Sequence, residues 1–125
     1  MNHLLLVGAG GALGAMGRYL VSGLVHRLLP STLFPAGTLS VNVLGCLAIG
    51  LLGGLADARG ALSGDARLFV FIGILGGFTT FSTFAYETMA LATDAEALPA
   101  LANVGLHLAA CLGAVWAGGA LARAL

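Results

Sequence analysis

A chain of 125 residues that is 59% hydrophobic and 8% charged, with a mean hydropathy of +1.04, lacks the side chains to build a polar outer shell. Soluble domains carry about 25% charge, so the solvent that suits this exterior is lipid and the expected class is an all-α integral membrane protein. The formal net charge is zero and lysine is absent, which excludes the basic stripe that nucleic-acid binding requires.

The first apolar run covers 4–29. Only Asn2 and His3 precede Leu4 apart from the initiator, so no basic n-region marks a signal peptide, and the run reads as a retained helix. Gly8-Ala9-Gly10-Gly11-Ala12-Leu13-Gly14 superficially suggests a dinucleotide-binding loop. Leu13 stands at the third glycine position and no strand precedes it, which excludes that reading. Arg18 falls mid-span, where a charge costs at least ~2.5–3.5 kcal/mol. It must therefore pair or face water, either drawing anions into a vestibule or pinning a helix end.

Pro30-Ser31-Thr32-Leu33-Phe34-Pro35 forms a turn, and the second span follows over 37–56. Asn42 brings two N–H donors into this span, for a ligand or for a structural bond between helices. The stretch 57–67 holds four charges and two glycines and reads as an aqueous loop. The third span runs over 68–92, Thr93-Asp94-Ala95-Glu96 is a second short loop, and the last span covers 98–121. Each span reaches the ~20 residues that cross ~30 Å of hydrocarbon, and the short loops leave one transmembrane domain, 1–125. Cys46 and Cys111 both lie in apolar runs without a CxxC and read as small packed thiols. Asn103 and His107 lie one turn apart; two such residues are too few for a metal site, so they read as polar contacts.

Gly10-xxx-Gly14, Gly50-xxx-Gly54 and Gly73-xxx-Gly77 are small-xxx-small pairs of the kind that let membrane helices approach closely. Four thin helices bury little alone, so an oligomer is expected. An even number of spans puts both termini on one side with the 57–67 loop. That side carries Arg59, Arg67 and Arg123 against Arg27 on the other, an imbalance small enough to allow insertion both ways round.

The third span concentrates the chemistry. It reads Gly76-Gly77-Phe78-Thr79-Thr80-Phe81-Ser82-Thr83-Phe84-Ala85-Tyr86-Glu87-Thr88. Paired glycines followed by β-branched threonines are poor helix formers, so a break is expected near 76–80. Unwound backbone at membrane depth persists only where it lines a cavity or binds an ion. Beyond the break, Phe81 and Phe84 lie one turn apart, while Ser82 with Tyr86 and Thr83 with Glu87 stack at i, i+4. Aromatic rings carry a positive edge and hydroxyls carry O–H donors, so this lane can hold a small anion without a full positive charge. The plainer alternative is that the hydroxyls bond their own i−4 carbonyls and the rings pack. Glu87, like Arg18, is a charge at membrane depth that needs a partner or a role.

Three segments, Gly11-Ala12-Leu13-Gly14-Ala15-Met16-Gly17-Arg18-Tyr19, Gly37-Thr38-Leu39-Ser40-Val41-Asn42-Val43-Leu44-Gly45 and Gly76-Gly77-Phe78-Thr79-Thr80-Phe81-Ser82-Thr83-Phe84, resemble the Fluc (CrcB) fluoride-channel family in order and spacing. The resemblance implies an antiparallel, dual-topology homodimer with two pores. It would export cytoplasmic fluoride passively across the bacterial inner membrane. It also implies that Phe81 and Phe84 turn ring edges to fluoride, that Asn42, Ser82 and Thr83 add donors, and that a central sodium ion sits on backbone oxygens of Gly76 and Thr79. Arg18 and Glu87 match family positions as vestibule or structural charges. Ala85 stands where family members often carry Ser, and a hydroxyl is often found near Cys111 or Val115, so the far end of the polar lane differs.

Two rivals belong to other classes. A proton-coupled multidrug-type antiporter of four spans needs a membrane carboxylate, typically in the first span, where this chain has Arg18 and no acid. A purely structural membrane subunit leaves the polar third span without purpose. No nucleotide motif or catalytic constellation points to an enzyme.

Overall fold

The computed structural model describes residues 2–30, 33–60, 62–94 and 96–125, with Arg59 described by its backbone alone. Four helical spans, each long and apolar enough to cross a membrane, run over Asn2–Leu28, Ala36–Ala58, Gly64–Thr93 and Ala97–Ala124. The first is α1 (Asn2–Leu28), the second α2 (Ala36–Arg59) and the last α6 (Ala97–Ala124). The third is composite: α3 (Gly64–Arg67), a π-helical stretch (Leu68–Leu75), α4 (Gly76–Phe78) and α5 (Phe81–Thr93). No strand occurs among the described residues. Parts of the three expected connections lie outside those residues, namely Ser31 and Thr32 of the first, Ala61 of the second and Ala95 of the third.

The expected 57–67 loop is shorter than its charges suggested. α2 continues to Arg59 and ends on Gly60 in the left-handed region at φ 60°, where glycine carries no Cβ penalty. Ser63 then caps α3 by accepting the Ala66 N–H at 3.3 Å. Arg67 Nη2 meets Asp57 at 2.7 Å and His3 Nε2 lies 3.2 Å from Asp65, which gathers the start of α1 and both flanks of this connection at one end of the bundle. Both pairs are well exposed and contribute at most about 1 kcal/mol each.

Glycine sets the packing. A Cβ on Gly10 would lie 2.5 Å from the Phe69 carbonyl, one on Gly14 would overlap the Ile74 carbonyl, and one on Gly77 would sit 2.6 Å from the Gly11 carbonyl. Gly10-xxx-Gly14 and Gly73-xxx-Gly77 therefore face each other and bring α1 against the third span. Gly50 admits the Val115 carbonyl, Gly54 admits Ala122, and Gly118 admits the Leu47 carbonyl, joining α2 to α6. These pairs are used inside the subunit. The spans nevertheless bury only 11–22% of their most apolar windows within the chain, so most of the exterior is left for lipid or a second copy.

Candidate functional site

The third span breaks at two residues. α4 ends at Phe78, and Thr79 (φ −79°, ψ 157°) and Thr80 (φ −150°, ψ 107°) are extended before α5 begins. The Thr79 N–H and hydroxyl both donate to the Leu75 carbonyl at 3.0 Å, closing the last turn. Thr80 then serves as the N-cap of α5, its Oγ1 accepting the Thr83 N–H at 3.3 Å. The Thr80 N–H is donated to Asn42 Oδ1 at 2.8 Å rather than to the Gly76 carbonyl, and Asn42 Nδ2 donates to the Thr80 carbonyl at 3.1 Å. A side-chain amide from α2 thus satisfies both backbone groups of an unwound residue at membrane depth, which lipid cannot do. Arg18 Nη1 donates to the Thr79 carbonyl at 3.4 Å, so of its two readings the pinning of a helix end has a direct contact.

Two grooves flank the break, and Thr80 lines both. The first, of about 410 Å³, lies between α2, α6 and the third span and is lined by Asn42, Phe81, Phe84, His107, Cys46 and Cys111 among others. No Asp, Glu, Lys or Arg lines it. The Phe81 and Phe84 rings lie 5.3 Å apart at 52°, and Phe84 meets the His107 ring at 4.4 Å and 42°. The second groove, of about 470 Å³, is polar and takes in Arg18, Ser22, His26, Thr38 and Thr83.

Behind the first groove is a buried polar string. Asn103 Nδ2 donates to Thr88 Oγ1 at 2.8 Å, and that hydroxyl donates to the Phe84 carbonyl at 2.7 Å. His107 Nδ1 lies 3.0 Å from the Asn103 carbonyl. A ring nitrogen facing a carbonyl carries the proton, which leaves Nε2 of the neutral ring as an acceptor. That Nε2 is buried with no partner among the described residues, as are Glu87 Oε2 and Asn103 Oδ1. Glu87 Oε1 accepts the Thr38 hydroxyl at 2.8 Å.

The structure therefore brings Asn42, Phe81 and Phe84 to one groove and sends Thr83 to the other. Ser82 lines neither; its Oγ lies 3.4 Å from Thr80 Oγ1 and its side chain is exposed. The density of hydroxyls also overstates the free donors: Thr79 and Thr88 bond their own i−4 carbonyls, as the plainer alternative had it. Sequence reasoning missed Thr80 and Thr38, while Asn103 and His107 make polar contacts as expected. Thr80 has a legible signal, a hydroxyl three residues before Thr83 at the restart of a helix, and Thr38 lies one turn before Asn42 on the same face.

Among the described residues no three His, Cys, Asp or Glu side chains gather as metal ligands. The cation expected at Gly76 and Thr79 would take carbonyl oxygens, the ligand type a hard cation such as sodium prefers. Gly76 is exposed and its carbonyl has lost its i+4 donor to Asn42, whereas the Thr79 carbonyl already accepts Arg18.

Comparison with known proteins agrees with this architecture. The sequence profile described as CrcB-like protein, Camphor Resistance (CrcB), matches residues 5–119. The chain is 43% identical over 125 residues to the fluoride-specific ion channel FluC of Geobacter sp. (strain M21), covering all of both chains. It is 46% identical over 125 residues to the protein of that name from Geobacter sulfurreducens, again over both full lengths. It is 50% identical over 117 residues to the fluoride-specific ion channel FluC 2 of Symbiobacterium thermophilum, covering 93% of this chain and 94% of that one.

Proposed function

The chain belongs to the CrcB-like protein family, and from that membership we propose that it is a fluoride-selective passive channel that exports cytoplasmic fluoride. It is a multi-pass membrane protein and a channel rather than an enzyme. The observation that carries the reading is the uncharged groove at the break, where Asn42, Phe81 and Phe84 meet. Fluoride is small and strongly hydrated, so only closely spaced donors can replace its water. One Asn42 N–H holds the Thr80 carbonyl, and the other, with no partner among the described residues, is placed to serve an anion. The positive edges of Phe81 and Phe84 supply further weak partners. Several weak partners allow entry and release, which a fixed guanidinium in a low dielectric would not. Thr83, in the polar groove with Arg18, and Ser82 offer hydroxyls on the approach.

The working unit in this proposal is an antiparallel, dual-topology homodimer in the bacterial inner membrane. Phe81 is 78% exposed and Gly76 is exposed beside it, which leaves this face free for a second copy. In the same proposal the Gly76 and Thr79 carbonyls would hold a sodium ion, which would supply positive charge between the two copies. The antiporter finds less support: α1 contains no carboxylate, and Glu87 is held by Thr38.

The test is efflux from liposomes carrying the purified protein, loaded with either potassium fluoride or potassium chloride, with valinomycin to balance charge. The proposal expects rapid fluoride loss and chloride retention; equal release of both, or retention of both, overturns it.

A further inference from the structure

The conduction mechanism makes no use of Cys46 and Cys111. Their placement is nonetheless specific. As second and fourth of four alternating spans, α2 and α6 run parallel, and they touch where Gly50 admits the Val115 carbonyl. Cys46 lies one turn before Gly50, and Cys111 lies one turn before Val115. Equal steps back from a backbone contact along parallel helices return both thiols to the same seam. Both are free, half-buried and on the wall of the groove that holds Phe81 and Phe84.

We propose that Cys46 and Cys111 form a two-coordinate site for a thiophilic d10 cation, and that its occupation closes the groove beside Phe81 and Phe84. Soft thiolates select soft cations. Zinc would want four ligands, and no third His, Cys, Asp or Glu side chain joins the pair among the described residues. A linear mercuric dithiolate needs only two. Each thiol releases its proton, two S–Hg bonds form as mercuric chloride gives up its two chlorides, and no oxidation state changes. The product carries no net charge, so the apolar surroundings do not oppose it as they would a bare ion.

The chain has 2 cysteines, so mercury uptake reads this pair alone. The protein in detergent, freshly reduced and freed of reductant, is titrated with mercuric chloride. Intact mass spectrometry and a free-thiol count follow. The site predicts one mercury per chain with both thiols consumed, retained against a monothiol competitor at least about a hundredfold better than in Cys46→Ser or Cys111→Ser, because the second bond is intramolecular. One mercury on each thiol, or retention equal to that of the single-serine variants, overturns the site. This arm is independent of transport. In liposomes, mercuric chloride should stop efflux through the wild type and spare the double variant Cys46→Ser/Cys111→Ser, which must itself conduct. This arm rests on the fluoride-channel reading. Undiminished efflux from a fully mercurated wild type, with the double variant conducting, overturns the closure.

Discussion

Asn42 and Thr80 are joined twice, side-chain carbonyl to N–H at 2.8 Å and side-chain amide to carbonyl at 3.1 Å, so α2 carries the backbone pair that the broken third span cannot satisfy itself. Asn42→Ala leaves both groups unpaired in a buried site, at a cost of about 1–3 kcal/mol for each. Its thermal midpoint in detergent should fall by several degrees. Asn42→Asp keeps the acceptor for Thr80, removes the donors and adds a negative charge. It should remain folded by the same measurement and block fluoride efflux.

Gly14 and Gly23 give a paired test of the packing between α1 and the third span. A Cβ at Gly14 would overlap the Ile74 carbonyl, whereas one at Gly23 meets nothing within 4 Å. Backbone cannot yield as a side-chain tip can, so Gly14→Ala should destabilise by about 1–3 kcal/mol and Gly23→Ala should stay near the wild type. Thermal unfolding followed by size exclusion measures both; equal midpoints would mean that this contact does not hold the helices.

Much of this arrangement was legible in the sequence because membrane spans obey two strong constraints, length and apolarity. The break was legible too, since Gly76-Gly77 and Thr79-Thr80 both disfavour helix. The π-helical stretch was not: Leu68–Leu75 is a uniformly apolar run with no local sign of a wider turn. Nor could spacing show whether Gly10 and Gly14 meet Gly73 and Gly77 of the same chain or another, because small-xxx-small patterns identify a face and not its partner. The hydroxyls posed the same problem. Thr83 and Thr79 look alike in sequence, yet one accepts a hydrogen bond from Thr80 and lines the polar groove, while the other closes its own turn on Leu75.

Glu87 separates a channel from a proton-coupled carrier. Its Oε1 accepts the Thr38 hydroxyl at 2.8 Å, and a glutamine carbonyl can accept the same bond. Glu87→Gln should therefore retain fluoride efflux within about tenfold, the effect of ~1.4 kcal/mol, with no dependence on an imposed proton gradient. Efflux that vanishes in Glu87→Gln and follows the gradient in the wild type would favour the antiporter.

Dimerisation and dual topology are tested together. Mass determination in detergent should give about twice the 12.4 kDa of one chain. A tag at the carboxyl terminus should be accessible from both sides of the membrane in one population of vesicles, because the arginine bias is small. A conducting monomer, or a tag protected uniformly from one side, contradicts the antiparallel pair.

In this proposal fluoride is held by ring edges and neutral donors, which electrode-monitored fluoride efflux from liposomes bearing Phe81→Ile or Phe84→Ile puts to the test. Isoleucine keeps the apolar side chain and removes the positive edge of rings that stand 5.3 Å apart. Efflux should fall by at least about a hundredfold in each variant, the loss of ~2.7 kcal/mol, while the dimer stays intact. Wild-type efflux from both variants, each confirmed dimeric, would contradict it and move the conduction path to Arg18 or Glu87.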